Sequence, residues 1–463
     1  MEDIRLKRRK FLASAGAGAL GLATAAAPAA HSDSKPKGEA RMREEIETDV
    51  LVVGAGAAGI PAAIAAARAG AKVVLVEEDA VPCGAPVDMF VAMPCGGPRT
   101  GIYREMVDRL KRDYPLPNSK GGPPGGKWFM PASYLAVCWQ MLEAEKNLRL
   151  VCGARAVDAI VRDAGQRRRA AGAVVEGAGG ERWAIRAKVT IDATGTGEFS
   201  ALAGCDTMYG RDSKSDFGEP HAPELRDDIV QQCTWIYTSH KVRSGPAFDM
   251  RRLESARLIL DTGPAWFHST PDACLERDSG VYLHWGCAVR CKDTRDPAAL
   301  AEAQREAFAA MERDHALLRE NGYVVQLAPR LGVREVRRIV GEHVITENDL
   351  RSGKLPDDTI AFGTYGLDIW GEDPSGEPAV PGYGIPYRAL APKGYEGLLA
   401  VGKCMSGSHV AMSAYRVQPI VASAGQGAGV AAAMAAGQQC GTRDIEVKEL
   451  RAKLEGMGLQ LSA

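Results

Sequence analysis

The stretch that decides the fold is Val50-Leu51-Val52-Val53-Gly54-Ala55-Gly56-Ala57-Ala58-Gly59. Its first four residues are a short apolar run rich in β-branched side chains, which predicts a buried parallel strand. The glycines at 54, 56 and 59 form a G-x-G-x-x-G pattern. The first glycine permits a tight turn, the second lets a pyrophosphate approach the backbone, and the third lets the following helix pack against the strand. The pattern predicts a helix over 57–69, whose N-terminus would bind the anion.

The residues after this helix complete a dinucleotide site. Residues 72–76 predict a second buried strand, and Glu77 closes it, 18 residues after Gly59, where a carboxylate accepts ribose hydroxyls. Residues 16–21 repeat the glycine pattern, but no strand precedes them and no acid follows. Context therefore assigns the dinucleotide to the second copy. Its predicted binding residues are Gly54, Gly56, Ala57, Ala58, Gly59 and Glu77.

Two later segments distinguish FAD from NAD. Residues 148–191 change to a period of two and predict a β-meander, which runs into Asp192-Ala193-Thr194-Gly195. This stretch resembles the A-T-G strand that returns beside the dinucleotide in glutathione-reductase-type flavoproteins. Leu398-Leu399-Ala400-Val401-Gly402 then precedes an Ala/Gly-rich helix, predicted over 426–436, as in those proteins. The resemblance implies FAD, with the helix N-terminus near Gly425 directed at the flavin. The further binding residues that it implies are Ala193, Thr194, Gly195, Gly402, Gln426 and Gly427.

The C-terminal part carries a closer resemblance. Residues 383–388, 398–404, 408–409 and 416–419 occur in series before Gly425-Gln426. This series is similar to the FAD-dependent oxidoreductase family related to the heterodisulfide reductase A flavin domain, and residues 192–197 and 331–342 match that family's patterns too. The resemblance implies FAD, two lobes and redox chemistry, but no single substrate. One departure is Trp370, which stands where histidine is expected in many relatives.

The order of these patterns predicts an α/β fold. We expect a doubly wound Rossmann-type FAD domain with a β-meander, plus an inserted α+β substrate lobe. The predicted segments are a signal peptide (1–30), a linker (31–47), the FAD-binding domain in two parts (48–204 and 391–440), the substrate lobe (205–390) and a C-terminal tail (441–463).

The N-terminal segment resembles a Tat signal. Lys7-Arg8-Arg9-Lys10-Phe11-Leu12 is followed by an uncharged Ala/Gly-rich run, and Ala27-Pro28-Ala29 offers a small-residue cleavage site. The prediction is export of the folded protein to the periplasm. An uncleaved anchor and a disordered basic tail are the alternatives. No membrane span is expected after removal of the signal, because no later run has 18 consecutive apolar residues.

Charge and motif content narrow the function classes. The 57 basic and 58 acidic residues nearly cancel, which argues against nucleic acid as the main partner. There is no HExxH, zinc-type Cys/His spacing or G-x-S-x-G, so no metal site is expected. No second strand-flanked G-x-G-x-x-G follows, so we expect an external electron donor or acceptor.

His409 and Arg416 are the predicted catalytic residues. A histidine there would move a proton while the flavin takes a hydride, and an arginine would bind a substrate carboxylate. The alternatives are a structural hydrogen bond for His409 and a flavin or backbone contact for Arg416. Arg334, Arg337 and Arg338 predict either an anion site or salt bridges with Glu335 and Glu342.

The predicted function is FAD-dependent oxidoreduction, in which hydride or electrons pass between the flavin and a small organic substrate. A flavoprotein subunit that relays electrons to a protein partner is the second hypothesis. A flavin-binding scaffold without catalysis is the third.

Overall fold

The computed structural model describes residues 42–115, 128–246, 248–255, 259–261, 280–371 and 379–463. The predicted signal peptide and most of the predicted linker lie outside the described residues. Helices run over α1 (Gly59–Arg68), α2 (Ala85–Asp88), α3 (Gly101–Asp113), α4 (Pro131–Glu143), α5 (Glu198–Leu202), α6 (Lys214–Phe217), α7 (Pro297–Glu320), α8 (Glu347–Ser352), α9 (His409–Tyr415), α10 (Gln418–Gln438) and α11 (Val447–Gly456).

The strands are β1 (Met42–Val53), β2 (Val73–Glu77), β3 (Leu148–Cys152), β4 (Ala154–Ala164), β5 (Arg167–Gly177), β6 (Arg182–Asp192), β7 (Thr207–Met208), β8 (Cys233–Thr234), β9 (Tyr237–Lys241), β10 (Ile259–Asp261), β11 (Val281–His284), β12 (Ala288–Val289), β13 (Tyr323–Leu327), β14 (Arg338–Ile339), β15 (Thr359–Gly363), β16 (Tyr383–Pro386), β17 (Tyr395–Glu396) and β18 (Leu398–Ala400).

The largest sheet has the doubly wound α/β organisation. Its strand order is β17-β5-β6-β1-β2-β3, with β4 paired to β5 and β18 paired to β6. Strands β1, β2, β3, β6 and β18 run parallel, whereas β4, β5 and β6 pair antiparallel as the predicted meander. Strand β6 belongs to both parts, because β5 covers one half of its edge and β18 the other. The carboxyl ends of β1, β6 and β18 therefore meet at one edge of the sheet.

Helices α1 and α10 pack together without side chains between their backbones. A Cβ atom on Gly425 would overlap with the carbonyl oxygen of Ala58, and one on Gly429 with that of Ala62. Glycine at both positions is therefore required by the close approach of the two helices. Helix α10 holds the first βαβ unit against the strands that return from the C-terminal half.

The inserted region builds a second, antiparallel sheet with the order β10-β11-β9-β13. Helix α7 covers one of its faces, where Met311 and Leu318 pack with Tyr237 and Tyr282. Asp296 caps this helix by accepting hydrogen bonds from the N–H groups of Ala298 and Ala299. Ile236, Leu283 and Trp285 on the other face join the core of the large sheet, so the two sheets share one apolar interior.

Several predicted element boundaries are wrong. Strand β1 begins at Met42, within the predicted linker, because residues 42–47 extend the pairing with β6. Helix α10 begins at Gln418 rather than near Gly425, since Pro419 occupies its first turn, where proline is tolerated. The predicted C-terminal tail contains helix α11, whose Leu450 and Leu454 lie in the core.

Helix α10 satisfies the length and hydropathy criteria of a membrane span. Its mean hydropathy over an 18-residue window is 1.3, and 94% of that window is buried inside the protein. Its apolar surface therefore packs against α1, β15 and the large sheet.

Candidate functional site

The glycine turn between β1 and α1 has the geometry of a pyrophosphate cradle. Gly54 adopts φ +100°, and a Cβ there would lie 2.6 Å from the carbonyl oxygen of Ala193. A Cβ on Gly56 would meet nothing within 4 Å, so open space lies over this residue. Helix α1 begins at Gly59, directly after this turn, and the N–H of Ile60 in its first turn donates to the Gly56 carbonyl at 3.1 Å. The turn fits an anionic dinucleotide, and Ala57 and Ala58 lie within it as predicted.

Glu77 lies at the carboxyl end of β2, as predicted, and is 6% exposed. Its Oε2 accepts a hydrogen bond from the N–H of Ala55 at 2.7 Å, and its Oε1 accepts one from Asp79 at 3.1 Å. Burial is the main cause that raises the pKa of this carboxyl, and the two backbone donors oppose it. Each oxygen retains capacity for a ribose hydroxyl, because a carboxylate oxygen accepts more than one bond.

The loop after β6 contains Ala193, Thr194 and Gly195, and Asp192 organises it. Asp192 is fully buried; its Oδ1 accepts hydrogen bonds from the N–H of Thr194 at 3.1 Å and from its hydroxyl at 2.7 Å. Its Oδ2 accepts from the N–H and hydroxyl of Ser200 at 2.8 and 2.7 Å. This role was missed from the sequence, although an acid directly before A-T-G was a usable signal.

Gly402 brings the third backbone segment to the same place. It has φ +89°, and a Cβ on it would lie 3.5 Å from the Cβ of Ala58. The next residue, Lys403, extends towards Gly195, where a Cβ would be 3.4 Å from the lysine Cε. The turn after β1, the loop after β6 and the segment after β18 thus converge, as the sequence predicted for a dinucleotide site.

Gln426 and Gly427 lie inside helix α10 and contact protein groups. The Oε1 atom of Gln426 accepts a hydrogen bond from the N–H of Ile102 at 2.9 Å, in the first turn of α3. A Cβ on Gly427 would lie 2.7 Å from Ile360. Their assignment to the cofactor rested on a helix N-terminus at this point, which the structure places at Gln418. Both residues serve helix packing in the structure.

Arg416 lies at the junction between α9 and α10. Its Nη2 donates to the Asp368 carboxylate at 2.8 Å and to the Asp368 carbonyl at 3.0 Å. Its Nε is buried and has no hydrogen-bond partner in the part of the chain that the structure describes. Tyr365 donates its hydroxyl to the same carboxylate at 2.9 Å. The loop with Gly97 packs beside this junction, since a Cβ on Gly97 would lie 2.9 Å from Ile420.

His409 lies in a buried ionic cluster and contacts a different acid. Its Nδ1 is 2.9 Å from Glu335 Oε2, and its backbone N–H donates to Asp212 at 3.0 Å. Arg338 binds both of these carboxylates and is fully buried. His409 and Arg416 thus stand at opposite ends of α9, each bound to its own carboxylate. The structure does not bring these two predicted catalytic side chains together.

The arginines at 334, 337 and 338 separate into different environments. The salt-bridge hypothesis holds for Arg338, through Glu335 and Asp212, while Glu342 pairs with Arg443 instead. Arg334 turns elsewhere: its guanidinium carbon lies 3.8 Å above the Trp370 ring, and its Nη1 donates to the Gln232 carbonyl at 2.8 Å.

No disulfide bond joins two cysteines of the described residues. Burial raises the pKa of Cys95, near Arg416, to about 11. In the described residues no group of three His, Cys, Asp or Glu side chains has the arrangement of a metal site.

Comparison with known proteins identifies a family. The sequence profile of the FAD dependent oxidoreductase family matches residues 49–454. No curated protein sequence matches the chain significantly. Three solved structures resemble the fold at low identity. The OxyS anhydrotetracycline hydroxylase from Streptomyces rimosus is 14% identical, with 89% of this chain and 65% of that chain covered and a TM-score of 0.44.

The second is a geranylgeranyl bacteriochlorophyll reductase-like protein from Thermoplasma acidophilum, 14% identical over 89% of this chain and 83% of that chain, with a TM-score of 0.42. The third is the myxobacterial chondrochloren halogenase, described as a variant of FAD-dependent halogenases, 15% identical over 89% and 78%, with a TM-score of 0.38. The family profile spans most of the chain and includes the glycine turn, Glu77 and Gly402. The chain therefore belongs to the FAD dependent oxidoreductase family, and FAD is its cofactor.

Proposed function

We propose that this chain passes hydride or electrons between FAD and a small organic substrate. Bound FAD supplies the redox chemistry. The chain would hold it with the glycine turn, Glu77, the 193–195 loop and Gly402. The observation that carries the proposal is that a group of buried cations, Lys403, Arg334 and Arg416, begins at the residue directly after Gly402. Lys403 directly follows Gly402, and the charges of Arg416 and Arg334 add to the burial that lowers its pKa to about 8.

Arg416 is the proposed substrate-binding catalytic residue. Asp368 fixes one end of the guanidinium, which leaves the buried Nε able to donate to an oxygen of the substrate. Such a donor orients the substrate and polarises a carbonyl or holds a carboxylate.

His409 is proposed to act mainly by positioning. It is the first residue of α9, and Glu335 and Asp212 fix both its ring and its backbone. Helix α9 ends one residue before Arg416, so this anchoring sets where the arginine lies. Proton transfer by the imidazole is the alternative that the sequence suggested.

The test begins with the visible spectrum of the purified protein and anaerobic bleaching by a panel of small organic reductants. With a substrate identified, we expect Arg416→Gln to lower kcat/KM by about 10- to 100-fold, because a hydrogen bond to a charged group is lost. FAD content should be unchanged. Arg290→Gln is the control, since Arg290 is exposed and its one hydrogen bond among the described residues goes to the Gly371 carbonyl.

Two results would count against these roles. If Arg416→Gln has the kcat/KM of the wild type, Arg416 does not bind the substrate. For His409→Gln, an unchanged shape of the pH profile of kcat/KM supports positioning, whereas loss of an inflection supports proton transfer. If no organic molecule bleaches the flavin but a redox protein does, the electron-transfer subunit replaces the enzyme as the function. In either case the second electron carrier is expected to be external.

Export by the Tat route to the periplasm also remains our proposal, and Arg8-Arg9 before Phe11-Leu12 supports it. Cell fractionation of the full chain tests it. Replacing both arginines, Arg8→Lys with Arg9→Lys, should retain the folded flavoprotein in the cytoplasm, while Lys7→Gln should still be exported. Equal export of the wild type, the double arginine variant and Lys7→Gln would contradict the Tat route.

A further inference from the structure

Three buried cations lie around one segment of the chain. Arg416 binds the Asp368 carboxylate, and Arg334 lies over the ring of Trp370, two residues further along. Lys403 donates to the carbonyl of Val333, directly before Arg334, and Asp368 is the one acid of the described residues that forms an ion pair with this group. Burial and the neighbouring Arg416 lower the pKa of Arg334 to about 9. In the described part of the chain, neither Arg334 nor Lys403 has an acidic group within ion-pair distance; Lys403 donates to the Val333 carbonyl at 2.7 Å. The region is therefore positively charged and short of acceptors.

Arg334 is the least satisfied of the three. It is only 8% exposed, yet its one hydrogen bond among the described residues is the one from Nη1 to the Gln232 carbonyl. A guanidinium has five N–H donors, and burying a charge without partners costs several kcal/mol. The guanidinium carbon lies 3.8 Å from the centre of the Trp370 ring, and this cation–π contact stabilises the charge. Its other N–H groups have no hydrogen-bond partner among the described residues.

Arg416 contributes a second incomplete guanidinium. Its Nη2 is bound to Asp368, and its Nε is buried and unpartnered. Asp368 accepts from Arg416 and Tyr365 through its Oδ2 atom and lies outside ion-pair distance of Arg334. Two buried arginines thus have donor atoms that the protein does not use. A ligand oxygen is what both of them lack.

We propose that Arg334 and Arg416, with Trp370 supporting Arg334, form the subsite that binds the carboxylate of an organic acid substrate. This inference rests on the proposed function, because the acid is taken to be the redox substrate. A carboxylate matches the planar donor edge of a guanidinium and brings negative charge to a region where three cations share one acidic partner. The dinucleotide pyrophosphate has its own cradle at the start of α1.

The test is a spectrophotometric titration of the FAD-bound protein with formate, acetate and benzoate, at constant ionic strength against chloride. At least one carboxylate should perturb the flavin spectrum saturably, and acetamide or benzamide should not. Arg334→Met should weaken that carboxylate at least about tenfold, with Arg334→Lys intermediate, since each lost charged hydrogen bond is worth a factor of this order. Arg290→Gln should bind as the wild type does. Thermal protection of the wild type by the same carboxylate gives a readout independent of any variant.

Three outcomes would overturn the subsite. The first is that none of the carboxylates binds more tightly than chloride. The second is that Arg334→Met and the wild type bind the carboxylate equally well. The third is that Arg334→Met loses FAD during desalting while Arg290→Gln retains it. The third outcome would mean that Arg334 binds FAD and not the substrate. Failure of the proposed function is distinguishable, because carboxylate binding would persist while no organic acid exchanges electrons with the flavin.

Discussion

At the scale of single residues, Asp192 shows how one buried side chain shapes a binding loop. It accepts four hydrogen bonds, two from Thr194 and two from Ser200, and is fully buried. The bonds hold the 193–195 loop against the start of α5. The four donors occupy acceptor positions on both oxygens of this buried carboxylate.

We predict that Asp192→Asn destabilises the protein by about 1–3 kcal/mol, because an amide replaces two acceptor positions with donors that face other donors. FAD should also be retained less well on desalting. Thermal unfolding and the ratio of flavin to protein absorbance measure both effects. Asp206→Asn, an exposed change nearby, is the control. Equal melting and equal FAD content in the two variants would contradict the role of Asp192.

How much of the site was predictable also depends on single residues. Gly54, Glu77 and Gly402 were predictable because backbone chemistry requires these residue types at a turn, a strand end and a close approach. The different side-chain environments of Arg334 and Arg338 were not predictable. Four positions apart and identical in type, one is paired with two acids and the other lies on an indole. That difference depends on residues elsewhere in the chain, Asp212 beside Arg338 and Trp370 beside Arg334, which no local pattern contains.

At the scale of elements, the helix pair α1 and α10 depends on absent side chains. The start of α10 was misplaced because the Ala/Gly-rich composition of 425–436 marks the tightly packed part of the helix, not its first turn. Its true start is specified by Pro419, in a segment that reads as a loop. Composition thus predicted where the helices touch and not where the helix begins.

Substitution within α10 should separate packing from helix propensity. Gly429→Ala places a methyl group into the Ala62 carbonyl, and we expect a loss of about 1–3 kcal/mol by overpacking. Gly437→Ala, in the same helix with nothing within 4 Å, should gain up to about 1 kcal/mol. Chemical denaturation of both variants gives the free energies of unfolding. A Gly429→Ala protein as stable as the wild type would refute the close packing.

At the scale of the whole molecule, the two sheets are joined through one apolar core. Strand β9 carries Tyr237 towards α7, while the adjoining Ile236 joins the interior of the large sheet. His284 lies in this second sheet, stacked on Tyr237 at 4.3 Å, with its Nε2 2.7 Å from the Ser239 hydroxyl. Disturbing that sheet should therefore affect the stability of the whole fold.

We predict a loss of stability in acid that depends on His284. Burial, with His315 beyond the Tyr237 ring adding to it, lowers the pKa of His284 from 6.5 to about 3. Between these pH values the unfolded chain binds a proton at His284 that the folded chain does not bind. The contribution of His284 to the free energy of unfolding is therefore complete above pH 6.5 and decreases as the pH drops. At pH 5 the loss is about 2 kcal/mol.

Thermal unfolding of His284→Gln at pH 7.5 and pH 5 measures this contribution. The variant should have a smaller drop in melting temperature between the two pH values than the wild type. Tyr237→Phe, which keeps the ring beside the histidine and removes no group that titrates in acid, should retain the full drop. An unchanged drop in His284→Gln would assign the acid sensitivity to other groups, such as His315 or His240.

The burial of α10 has a consequence for the export that we propose for this chain. A transport channel that threads an unfolded polypeptide would meet residues 418–438 as a bare apolar segment, with the length and hydropathy at which such channels release a segment sideways into lipid. Once α1 and α10 have closed on each other, that segment is hidden from any such machinery. Under the proposed export of the folded chain, this segment would therefore not be released into the lipid during transport.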